Sequence, residues 1–292
     1  MIVDGHHHFW HLNEVHYPWL AAAGTPRFFG DPDPIRRDYG VPEFRADHAH
    51  VDVRASVHIQ VGAADAFAET AWVARHAAAQ GWPVGIVAAA DLTAATLADD
   101  LARHAALADG RLRGVRQIVA RHPSEDGPGA GALLRDPAFA RGLETLAAAG
   151  LRFDLQLTGE LLAEAAAVFG AVPALRVALC HAGSPWDASE GGMARWREGL
   201  HAFAALPGAV VKLSGLGMLR RDGAGVGAIA DGLLAAFGTA RMIWGSNCPV
   251  DALHRPWQAL YAEARALVPA AGREAVFGGN AAAFYDLDTK TP

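Results

Sequence analysis

Cysteine is nearly absent: Cys180 and Cys248 are the two thiols of the chain, too few for a disulfide scaffold. Long apolar runs are missing as well. None approaches the roughly 20 residues needed to cross a bilayer, and the opening Met1-Ile2-Val3-Asp4-Gly5 has neither the basic segment nor the apolar stretch of a leader. A cytoplasmic protein without a membrane partner is the expectation. Basic clusters are also lacking. The 25 Lys and Arg residues are scattered among 31 Asp and Glu, for a net charge of −6, which argues against nucleic acid as a partner. No internal repeat or low-complexity linker breaks the chain, so residues 1–292 read as one domain.

What is present is apolar and rhythmic. Hydrophobic residues make up 52% of the chain, enough for a large core and incompatible with general disorder. Short β-branched runs alternate with longer Ala/Leu-rich stretches about eight times. The runs are Ile2 to His8, Ala55 to Gln60, Val84 to Ala90, Arg113 to Val119, Leu151 to Leu157, Leu175 to His181, Ala209 to Ser214 and Arg241 to Ser246. Helical stretches between them include Ala66 to Gln80, Leu97 to Ala108, Ala138 to Ala149 and Trp257 to Leu267, with Gly81 and Gly150 placed to end two of them at positive φ. Eight βα units in 292 residues predict a closed (β/α)₈ barrel rather than an open sheet. One segment breaks the rhythm: Phe9 to Asp52, rich in Pro, aromatics and charge, predicts a long insertion folded over the barrel mouth, with a short helix over Pro42 to His50.

Reactive side chains of such a barrel sit at the C-terminal ends of its strands. Read in that way, the first strand offers His6 and His8, and the second His58 and Gln60. The fourth offers Arg116, the fifth Asp154 and Gln156, the sixth His181, the seventh Lys212 and Ser214, and the eighth Asn247, followed by Asp251. Polar groups that end apolar strands are costly unless they face water, a ligand or one another. Residues two apart on a strand share a face, so His6 and His8 enter the barrel while His7 points away. With His181 they offer three nitrogens to a metal. Arg116 suits a substrate carboxylate, Gln60 and Gln156 suit hydroxyls, and Trp10 and Trp19, with Phe28 and Phe29, can line a pocket or anchor the insertion. Lys212 is expected inside the barrel, paired with Asp154. Cys248 reads as a packing residue, and the helical His76, His104 and His201 as surface residues.

Several motifs occur in order: Asp4-Gly5-His6-His7-His8-Phe9-Trp10, Cys180-His181-Ala182-Gly183-Ser184-Pro185, Val211-Lys212-Leu213-Ser214-Gly215, Trp244-Gly245-Ser246-Asn247-Cys248-Pro249 and Gly279-Asn280-Ala281-Ala282-Ala283-Phe284-Tyr285. Together they resemble the amidohydrolase superfamily, in particular its amidohydrolase-related branch of 2-pyrone-4,6-dicarboxylate and sugar-lactone lactonases. The resemblance covers essentially the whole chain. It implies a (β/α)₈ hydrolase in which His6 and His8 match the first-strand pair, His181 the sixth-strand histidine, and position 247 an eighth-strand residue that is usually Asp and acts as general base. Some members hold one divalent metal there, whereas the pyrone lactonase type works without one.

Residue 247 is Asn, and an amide takes no proton from water near neutral pH. Three readings follow. Zinc on His6, His8 and His181 acidifies its own water. Alternatively, no metal binds, the histidines and Arg116 polarise a carbonyl, and Asp251 or, second, Asp154 activates water. In the third, the site only binds ligand. The leading expectation is hydrolysis of a small polar lactone or carboxylic ester of the sugar-lactone or dicarboxylate-lactone class, because the strand ends supply Arg, Gln and Ser rather than a broad apolar slot. The rivals are a decarboxylase of the same superfamily and a non-catalytic binding protein. A small molecule is the expected partner, with homo-oligomerisation left open.

Overall fold

Strands that are covered on both faces must be apolar almost throughout, and the β-branched runs meet that demand. In the computed structural model, which describes residues 1–289, they form eight parallel strands: β1 Ile2–His7, β2 Val53–Ile59, β3 Gly85–Ala89, β4 Leu112–Arg116, β5 Arg152–Leu155, β6 Val177–Leu179, β7 Ala209–Leu213 and β8 Met242–Trp244. They are hydrogen-bonded in chain order, β1 through β8, with helices such as Ala66–Gln80 and Trp257–Leu267 returning the chain between them. This is the (β/α)₈ barrel. Gly81 and Gly150 stand at φ 79° and 69° behind their helices, the left-handed backbone that glycine adopts without steric cost.

Closure joins the first strand to the last. Asn247 N donates to His6 O at 2.8 Å or less (2.7 Å), and His8 N donates to Cys248 O at 2.8 Å. Below them the Asp4 carboxylate accepts from Ser246 N at 2.9 Å and from Trp257 Nε1 at 3.2 Å. The backbones come this close because Gly245 has no side chain: a Cβ there would lie 2.6 Å from His6 Cβ.

The strands end sooner than the apolar pattern predicts. β5 stops at Leu155 rather than Leu157, β4 at Arg116 rather than Val119, and β6 covers only Val177–Leu179. At two exits the backbone turns left-handed, with φ 51° at His181, 55° at Ala182, 44° at Ser184 and 53° at Asn247. Such conformations are uncommon outside glycine and gather at functional sites. Composition does not reveal where a strand's backbone turns away.

The segment between β1 and β2 does fold over the mouth. It contains the short helix Val41–Asp47 and an antiparallel bridge between Trp10 and Tyr39. Trp10 is fully buried, and its Nε1 donates to Arg37 O at 2.7 Å. Its role is therefore to anchor the insertion, not to bind substrate.

Inside the barrel Val3, Ala55, Val57, Ile59, Val87, Ala178 and Ile243 pack on Ala281, Phe284 and Tyr285 of the C-terminal helix Asn280–Tyr285. Tyr285 Oη donates to Asp154 at 2.8 Å, and Asp154 pairs with Lys212. Both members of that pair are wholly buried. Lys212 Nζ also donates to Gly5 O at 3.1 Å.

Two predictions follow from this packing. Gly245→Ala should lose about 1–3 kcal/mol of stability, the usual penalty of forcing atoms into a filled core, measured by chemical denaturation; an unchanged midpoint would contradict the close approach of β1 and β8. Lys212→Met should lose about 3–5 kcal/mol because it strands a buried carboxylate. Adding Asp154→Asn should recover most of that loss in the same assay.

Candidate active site

The pleat of β1 sends His6 and His8 inward and His7 outward, where its ring lies 4.3 Å from that of Phe9 and 4.5 Å from that of Phe44. Centroid to centroid, the His6 ring is 5.1 Å from His8 and 4.5 Å from His181. The chain thus brings the three predicted histidines together. His181 reaches this position because Gly215 leaves room, since a Cβ there would lie 2.6 Å from Nδ1. Ser214 Oγ is 3.1 Å from the same nitrogen. Burial, reinforced by the Arg116 charge and, for His6 and His181, by Lys212, holds all three imidazoles well below the usual histidine pKa and favours their neutral form.

A cleft of about 230 Å³ opens above them. Its floor is His8, His181 and Asn247, with Arg116 and Gln156 on one side. His6 lies beneath this floor, fully buried, and its Nε2 has no partner. Of the four aromatics that could line a pocket or anchor the insertion, three line this cleft. Trp19, Phe28 and Phe29 from the insertion, with Val61, Ile118 and Met218, form an apolar wall. The strand ends alone could not reveal it, because the wall comes mainly from the insertion and loops.

His8 and Asn247 stand in an unusual relation. His8 Nδ1 is 2.7 Å from Ile59 O, and a carbonyl only accepts, so Nδ1 carries the proton and Nε2 is a bare lone pair. That lone pair faces Asn247 Oδ1 at 3.2 Å, while Asn247 Nδ2 donates to Asp251 Oδ1 at 2.9 Å. Two acceptors therefore point at one another. Asp251 also accepts from Gly217 N and Met218 N at 3.0 and 3.1 Å. Burial pushes its carboxyl up to about 6, against the pull of those hydrogen bonds.

Neither carboxylate proposed to activate water lines the cleft. Asp251 sits behind Asn247, and Asp154 lies under His6, tied to Lys212 and Tyr285. Gln60 is turned aside too, its Oε1 accepting from Gly62 N at 2.8 Å. Arg116 does face the cleft. It is 3% exposed, its guanidinium donates to Gln156 Oε1 at 3.1 Å and to Gln60 O, and no carboxylate among the described residues is bonded to it. Arg121, five residues further along the same strand exit, also lines the cleft. The sequence reading passed over it, although its spacing from Arg116 was visible. No Asp or Glu lines this cleft among the described residues. Among the histidines taken for surface residues, His104 is buried, with Nδ1 2.9 Å from Thr70 Oγ1.

The tightest set of potential metal donors among the described residues is His6, Asp154 and Cys180, within 4.8 Å of one another. Lys212 already neutralises that Asp154, and burial pushes the Cys180 thiol up to about 12, so this set suits the ammonium better than a metal. The upper set is more widely spaced, His6, His8 and His181 not meeting that 4.8 Å limit together, but it offers free lone pairs: an orphaned Nε2 on His6, the bare Nε2 of His8 facing Asn247 Oδ1, and His181 beside His6. Lys212 Nζ lies 3.3 Å from His6 Nδ1 and occupies only the other nitrogen.

Comparison with known proteins agrees with this architecture. Residues 3–287 match the family described as Amidohydrolase. An uncharacterized protein of Sinorhizobium fredii is 32% identical over 300 residues, spanning 97% of this chain and 98% of that protein. An L-fucono-1,5-lactonase of Burkholderia multivorans is 31% identical, over 98% of this chain and 96% of the lactonase. The crystal structure of a Burkholderia multivorans amidohydrolase with bound zinc superposes with a TM-score of 0.81 at 28% identity, covering 99% of this chain and 100% of that one. The chain belongs to the amidohydrolase family and is a hydrolase.

Proposed function

We propose that this enzyme opens a small lactone or carboxylic ester bearing a negative charge, the carboxylated branch of the lactone class rather than the polyhydroxy-sugar branch. The observation that carries the reading is Arg116, a buried guanidinium at the cleft with no carboxylate bonded to it. A buried cation is expensive unless something pairs with it, and the cleft offers only neutral or cationic polar groups. A bound anion supplies the missing charge. The lactonase name of a relative supports the bond class. The apolar wall suits a flat ring with few hydroxyls.

The residues divide the work by position. Arg116, helped by Arg121, holds the anionic group. Trp19, Phe28 and Phe29 cover the ring and exclude water. A water donating to both Asn247 Oδ1 and His8 Nε2 meets the cleft's two converging acceptors, and His8 Nε2 takes its proton as the oxygen attacks the carbonyl; the tetrahedral intermediate then expels the ring or ester oxygen, to which the His8 imidazolium returns the proton. His181 sits across the floor, where the developing oxyanion needs a donor. A divalent metal, with zinc as first choice, would be held by His6, His8 and His181 with the Asn247 oxygen; it would then occupy the Nε2 lone pair of His8 and supply Lewis acidity toward a carbonyl or water in place of that base.

A panel of carboxylated and neutral lactones, followed by proton release, tests this reading. Carboxylated members should be opened faster, without release of carbon dioxide. Arg116→Met should lower kcat/KM for them by about 100-fold, the worth of one or two charge-assisted hydrogen bonds, and change neutral lactones far less. Equal losses on both kinds would assign Arg116 a structural or oxyanion role. Carbon dioxide release would mean a decarboxylase.

A further inference from the structure

We propose that Asp251 is a positioning residue that fixes the Asn247 amide with its carbonyl oxygen toward His8. A residue that looks unable to replace a carboxylate thereby still presents an acceptor oxygen to the site. The inference rests on the hydrolase site described above for its location, and not on which substrate is opened.

The argument begins with what each group can do. Carboxylate oxygens accept hydrogen bonds, so the Asn247 group facing Asp251 has to be its NH₂, leaving Oδ1 for the opposite side. Asp251 has little freedom to do otherwise. It is 1% exposed and takes Gly217 N and Met218 N from the loop after β7 in addition to Asn247 Nδ2. Gly217 permits this approach, for a Cβ there would stand 3.0 Å from Asp251 Cγ. The main chains are joined as well: Asp251 N donates to Asn247 O at 3.1 Å. Asn247 itself holds φ 53°, a conformation that asparagine tolerates better than most residues. On the far side His8 cannot reverse its ring without losing the bond from Nδ1 to Ile59 O at 2.7 Å. Amide and imidazole are each fixed from behind, and their lone pairs are made to converge at 3.2 Å. Convergent acceptors of this kind attract a cation or a water that donates twice.

A simpler role is available to Asp251, namely capping the turn at Gly217 and Met218. The two oxygens do not divide between these roles: Oδ1 accepts from both Asn247 Nδ2 and Met218 N, and Oδ2 from Gly217 N. Asp251→Ala removes both, and the freed Asn247 amide then relieves the facing lone pairs by reversing and donating to His8. The deciding measurement is the Nε2 resonance of His8 in metal-free protein labelled with ¹⁵N-histidine, which the loss of a turn cap alone would not move. It should move upfield in Asp251→Ala as that nitrogen gains a hydrogen bond. Zinc affinity, titrated against a chromophoric chelator, should fall about 10- to 100-fold, the usual effect of losing a partner behind a ligand. Adding Asn247→Asp to Asp251→Ala presents an oxygen to His8 whichever way the side chain turns, and should restore the zinc affinity. A His8 resonance unmoved by Asp251→Ala would overturn the proposal. So would a double variant that binds zinc no better than the single one while melting like it.

Discussion

The seam between the first and last strands is the constraint on which the site depends. A barrel closes only if its terminal strands meet, and here they meet at the residues of the candidate site. Asn247 N reaches His6 O and His8 N reaches Cys248 O, so the hydrogen bonds that complete the barrel also set the separation of His6, His8 and Asn247. Asp4 ties the same seam from below through Ser246 N and Trp257 Nε1. Fold and site are therefore coupled, and a change in the approach of β1 to β8 moves all three side chains.

Charge is arranged in layers around that seam. The lowest layer is balanced internally: Lys212 against Asp154, with Tyr285 donating to the same carboxylate. The middle layer is neutral, because burial keeps His6, His8 and His181 uncharged. The cleft above is cationic, with no Asp or Glu lining it among the described residues. In the proposed reading the ligand brings the negative charge, and an imidazole, or water acidified by a metal, takes the place of a carboxylate base. The carboxylates are retained, but behind the reacting surface, where they orient groups that face it.

Much of this was legible in the residues themselves. His6 and His8 two apart on an apolar strand, and His181, Arg116 and Asn247 at other strand ends, could be read as one mouth because a parallel barrel places all its strand exits there. Lys212 between Val211 and Leu213 could be placed inside, with Asp154 as its partner, because the apolar packing against the helices would strand its charge. What a strand-end reading cannot supply is depth. Asp154 and Asp251 follow the same pattern as Arg116, yet one lies below His6 and the other behind Asn247. Depth is set by the left-handed turns at His181 and Asn247 and by the glycines at 215, 217 and 245. For the aromatics of the insertion the open choice was between lining a pocket and anchoring. Trp19, Phe28 and Phe29 lie in an insertion whose path depends on tertiary contacts such as the Trp10–Tyr39 bridge.

The most direct test of the account is turnover of a lactone that the wild type opens, compared in His8→Ala and His181→Ala proteins whose circular dichroism matches wild type. Loss of the floor imidazoles should reduce kcat by about 100-fold or more, the usual contribution of a positioned acid or base. Full activity in both variants would place the chemistry elsewhere in the molecule.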